Sequence, residues 1–185
     1  MKTQNLSNMD SNKVTLAYQN EDDRAYGLAG MAISLAALNA IDRVAEVSLD
    51  AEGPMVSFSH AYYFAGSPSV SPKATWDNLI QNFHITTAMV MANVLSRSLV
   101  RMKREAPRQI LDEIHQEVIS EGTETCGLER DEIDNLYNRT LSYTRRIFAN
   151  PRLHPAIEEF VRVLSRRRVL SGMEIQDELH LLQLI

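Results

Sequence analysis

A chain of 185 residues, 44% hydrophobic and 23% charged with only 7 Gly and 6 Pro, belongs with ordinary globular proteins rather than disordered or fibrous ones. Nineteen basic against 24 acidic residues leave a net charge of −5, so the molecule as a whole is not built to attract nucleic acid. A single cysteine, Cys126, excludes an intramolecular disulfide and suits a reducing compartment.

Residues 1–12 are polar and read as a flexible start with no secretory signal, which makes a cytoplasmic location the expectation. Lys13 to Tyr18 alternate apolar and polar, predicting a short strand. Asn20 followed by Glu21, Asp22 and Asp23 is a capped helix start with acids at the positive end of the dipole. That helix is expected to run to about Ala45. Its Gly27 and Gly30 each cost about 1 kcal/mol relative to alanine, which close packing against another element would offset. The weakly polar stretch from Gly27 to Ile41 falls short of the roughly 20 residues that span a bilayer, so a buried helix is expected and no membrane association.

Val47 and Leu49, a turn at Ala51–Gly53, then Val56 and Phe58 predict a β-hairpin, extended by the Val14 strand into a small antiparallel sheet. Residues 66–72 form a loop, and Ser71–Pro72 opens a long helix to about Ala106. Two apolar stripes run along that helix, one through Leu79, Ile80, Phe83, Thr87 and Val90, the other through Ile85, Ala88, Met89, Ala92, Leu95, Leu99 and Met102, so coverage on both sides is expected. Further helices follow over 108–121, from the Leu128/Ile133 staple to about Ala149, and from Pro155 through Val169. Ser171–Gly172 ends the last of these before a terminal helix closing in LLQLI. The expected fold is therefore α+β and mainly helical: an antiparallel helical bundle with a small N-terminal antiparallel sheet, in one domain. Its strand–helix–hairpin part is 13–71 and its helical part 72–185.

No HExxH, P-loop, GxGxxG or GxSxG pattern occurs, so the common metalloprotease, nucleotide and hydrolase chemistries lack their local machinery, and the chain leans away from an enzyme. Asp112–His115 and Asp177–His180 have the i, i+3 spacing of bundle metal ligands, but each pair turns away from its helix's apolar stripe, and neither a metal nor a cofactor is expected. Cys126, read as lying just before a helix start, is a small core-edge residue first and a reactive thiol second. Arg97, Arg101, Arg104 and Arg108, spaced 4, 3 and 4, would align on one face if Pro107 only bends the helix. They form a candidate polyanion-binding row, with ion pairs to Glu129, Asp131, Glu132, Asp134, Glu158 and Glu159 the stronger reading. His60, Tyr62, Tyr63, Trp76 and His84 bracket the 66–72 loop and form a candidate ligand pocket with that loop as its lid.

The leading functional expectation is an interaction or assembly role as a homodimer, because the doubly apolar helix and LLQLI look like more apolar surface than one small bundle covers. A small-molecule pocket around His60 and His84 is the alternative. A nucleic-acid regulator using the arginine-rich helices comes third.

Overall fold

A computed structural model describes residues 14–63 and 71–184; the expected flexible start and most of the 66–72 loop lie outside them. The cap at Asn20 forms as its residues dictate: its backbone is extended and its side-chain carbonyl accepts the Asp23 N–H at 2.8 Å, opening helix α1 (Glu21–Ala37). This helix stops well before Ala45. Asn39 takes φ +53°, a left-handed conformation that asparagine tolerates, and the chain turns through a 3₁₀ segment, Ile41–Arg43, into strand β1 (Val44–Ser48).

The hairpin is present. β1 pairs antiparallel with β2 (Val56–Phe58) in the register Val44↔Phe58 and Val47↔Val56, with a bulge between Val44 and Glu46. The third strand is not the one the sequence suggested. Residues 14–20 form no ladder, because the Thr15 and Ala17 carbonyls accept hydrogen bonds from a buried arginine instead. The other edge of the sheet is β3 (Val169–Ser171), antiparallel to β1 with Val47 opposite Leu170, giving the order β2-β1-β3. Val169 had been read as helical; the helix before it, α6 (His154–Arg167), ends where Arg168 turns to φ +68°.

A short helix, α2 (His60–Tyr63), follows the hairpin, and Ser71 caps the long α3 (Pro72–Leu95) by accepting from the Ala74 N–H at 3.3 Å. The second stripe of α3 is buried within this one chain, and the first in part: Phe83 and Thr87 are buried, Leu79 and Ile80 half-buried, and Val90 is exposed. Ile85, Met89, Ala92 and Leu95 join the core around α1 and the sheet. Phe83, Met91 and Val94 face Ile110, Ile114 and Val118 of α4 (Arg108–Cys126) and Ile133 of α5 (Arg130–Phe148). The α3 helix widens into a π-helical turn at Ser96–Arg101 and ends at Lys103, φ +52°, before Pro107 is reached. Pro107 therefore caps α4 instead of bending a longer helix, and the row of four arginines is broken.

α4 passes through the segment expected to be a loop, 122–126, and stops at Gly127, φ +58°. Gly122 stays helical because it lies under its neighbours: a Cβ there would sit 2.8 Å from Ile133 Cδ1. Ser171, expected to end a helix, starts one. Its side chain and that of Glu174 form a reciprocal capping box for α7 (Gly172–Leu181). Among the described residues no helix is long and apolar enough to cross a membrane.

Candidate functional site

Arg97, first of the four arginines, is 0% exposed. Its Nε and Nη2 donate to Asp23 at 2.9 and 2.5 Å, and its Nη1 and Nη2 donate to the Thr15 and Ala17 carbonyls at 2.8 and 2.9 Å. Tyr18 lies over the guanidinium, 4.8 Å from ring centre to Cζ. Arg101 donates to Asp22 at 2.6 Å and approaches Asp23 at 3.3 Å. Arg104 and Arg108 are exposed on the loop and the first residue of α4, Arg108 standing 3.8 Å from Asp112. The structure thus divides the row, and its first two members pair with the start of α1, not with the carboxylates the sequence suggested. Of those, Glu158 pairs with Lys103 and Glu159 with Arg162.

Of the aromatic–histidine cluster, Tyr62 and Tyr63 meet edge to face at 5.2 Å between ring centres. His60 is exposed at the start of α2. Tyr62 is buried and stacked on Phe58 at 3.8 Å between ring centres, its carbonyl accepting from Asn82 at 2.9 Å. Tyr63 and Trp76 are exposed. Most of the loop expected as a lid lies outside the described residues. His84 lines a separate cleft whose walls include none of the other four.

That cleft, about 930 Å³, runs between α3 and α5 beside the end of α1. Its apolar walls are Leu38, Leu136 and Tyr143, the tyrosine hydroxyl donating to the Ala37 carbonyl at 3.2 Å. Its polar side comes from one face of α5: Asn135, Arg139, Ser142 and Arg146, at steps of 4, 3 and 4 that align them along the helix. Among the described residues neither Arg139 nor Arg146 pairs with a carboxylate, unlike Arg130 and Arg145 on the same helix. Glu132 stands at the rim, where its carboxylate accepts the Glu129 N–H at 2.9 Å in the helix cap. Thr140, 3% exposed, lines the cleft too, and its buried hydroxyl has no hydrogen-bond partner among the described residues. Burial holds His84 below the usual imidazole range, and the Arg139 charge lowers it further, so the ring is neutral at pH 7. The arrangement offers two guanidinium forks, amides, a hydroxyl and an imidazole around a partly apolar hollow, a set suited to holding a small molecule with a polar end.

The α5 residues were visible in the sequence only as the polar side of an amphipathic helix. The signal that could have marked them is the 4, 3, 4 row carrying two arginines, with no acid after Asp134 up to Arg146. Other candidates are occupied elsewhere. His115 lies 2.7 Å from Asp134 across α4 and α5 and stacks on Tyr137, whose hydroxyl burial pushes up to about 12. Cys126 closes α4 instead of preceding a helix start, and burial pushes its thiol up, away from the thiolate. Among the described residues no three or more His, Cys, Asp or Glu side chains gather as metal ligands. Compared with known proteins, the sequence matches no family profile and no curated protein.

Proposed function

We propose that the protein is a binding protein that takes a small molecule in the cleft between α3 and α5. The carrying observation is that Arg139 and Arg146, both without carboxylate partners among the described residues, face one hollow with Leu136, Tyr143 and His84. Its volume lies in the range typical of small-molecule sites, roughly 300–1,000 Å³. The reading keeps His84 from the expected pocket and replaces its companions. Protein-observed NMR with a library of small molecules tests it: the compounds that bind should shift His84, Ser142 and Tyr143. Binders that all leave these resonances still and move another region would refute it.

A second reading, self-assembly, is supported by α7. Met173 and Leu181 are each 77% exposed there, with Val169 exposed on the adjoining strand, while Leu182 and Leu184 pack partly onto the core. A two-fold dimer through this face would bury more than about 1,000 Å². Sedimentation should then give twice the chain mass at micromolar concentration, with Leu181→Glu returning it to monomer. A single 20.9 kDa species throughout would exclude this reading.

A further inference from the structure

Resting on the reading of the α3–α5 cleft as a ligand site, we propose that its ligand is an amphipathic anion: a carboxylate or phosphate head group on Arg139 and Arg146, with an apolar body against Leu38, Leu136 and Tyr143.

Charge balance supports the head group. Arg139 and Arg146 have no carboxylate partner among the described residues, a state they share with Arg24, Arg43, Arg104, Arg152 and Arg166, but they alone of these line the hollow together. The two stand seven residues apart on α5, about 10 Å along the axis, with Ser142 and Tyr143 between them. The one acid lining the cleft among the described residues, Glu132, also accepts the Glu129 N–H in the helix cap. Both guanidinium groups are exposed, so their attraction for an anion is screened by solvent and is greatest where the two act on it together. The peptide N–H groups of mid-α5 are spent in the helix, so recognition falls to side chains. The planar guanidinium fork suits carboxylate and phosphate oxygens, with Asn135, Asn138 and Ser142 as neutral donors around it.

The apolar body follows from the other wall. Leu38 from the end of α1, Leu136 and the Tyr143 ring line the same hollow, and a small inorganic ion would leave them wet. His84 adds a proton linkage. The other titratable groups lining the cleft are Glu132, Arg139, Tyr143 and Arg146, all from α5, while α1 contributes only Leu38. Part of what keeps His84 neutral is the Arg139 charge. An anion seated on Arg139 offsets that charge, raises the imidazole affinity for a proton and so binds more tightly as pH falls through the histidine range.

The test uses the full chain and three eight-carbon probes: octanoate, octyl phosphate and the neutral 1-octanol, titrated by NMR. At least one anion should bind about tenfold or more tightly than octanol, shifting His84 and Ser142, and which anion leads tells carboxylate from phosphate. In Arg139→Gln/Arg146→Gln, two exposed positions whose fold is checked by thermal melt, that advantage should shrink to about threefold or less. Octanol binding in the cleft as well as either anion would overturn the anion assignment and leave the cleft a ligand site. Cleft resonances unmoved by all three probes would overturn both.

Discussion

Arg97 keeps its charge where no water reaches it, and the surrounding residues account for each direction in which it can donate. Asp23 takes the fork, two carbonyls from residues 15 and 17 take the outer N–H groups, and the Tyr18 ring covers one face. Removing one member of a buried pair strands the other, at a cost of about 3–5 kcal/mol, while an apolar replacement of both is much milder. Asp23→Asn should therefore lose about that much in urea unfolding, and Asp23→Leu/Arg97→Met less than the two single changes summed. The carboxylate also sets an acid limb. Burial alone would raise Asp23, but the Arg97 hydrogen bond, the Gln19 N–H and the charges of Arg97 and Arg101 outweigh it and hold it below the usual value. A depressed native pKa means stability that is complete above the unfolded value, about 3.9, and is lost as pH falls through the native one. Urea midpoints against pH should show that loss in the parent and a flatter limb in Asp23→Asn. His84, also lowered, acts in a different window: stability falls as pH drops from about 6.5 toward its native value, and no further from this source below that.

Between elements, α1 and α3 approach closely at Gly30. A Cβ at Gly30 would run into the Ala92 carbonyl oxygen and lie 2.7 Å from Ser96 Cβ, both parts of a helix that cannot step aside. Gly30→Ala should thus destabilise by about 1–3 kcal/mol on urea unfolding, although alanine is the better helix former by about 1 kcal/mol. Ser171→Ala, which opens the capping box of α7, should cost about 1 kcal/mol in the same measurement. Helix starts were legible in the sequence because they are chemical: Asn20 with three acids, Ser71–Pro72, and the Leu128/Ile133 staple. Helix ends were less so. Asn39 and Lys103 take positive φ without being glycine, and Gly122 looks like a terminator but serves packing. β3 is three residues long, too short for a period, and owes its state to the free edge of β1. The arginine row is split by an early helix stop: Arg97 and Arg101 still meet at Asp23, whereas Arg104 and Arg108 lie beyond that stop. The cleft was illegible because Leu38, His84 and Arg139 come from three helices that only tertiary packing brings together.

For the molecule as a whole, the core is organised around α1, which packs on α3, on the π turn and on α6. Its anchor, Asp23, lies 74 residues ahead of Arg97 in the chain. During synthesis at about 5–20 residues per second, α1 is finished roughly 3–12 s before the guanidinium that its carboxylate needs exists at all. The helix that waits carries Leu28, Ile33 and Leu35 among its glycines and alanines, apolar side chains left uncovered until the later helices arrive. Ribosome-bound chains stalled before residue 97 should accordingly be cut within Glu21–Ala37 by a protease. Those stalled after α6 has emerged should resist, because the anchor and the covering helices then arrive together.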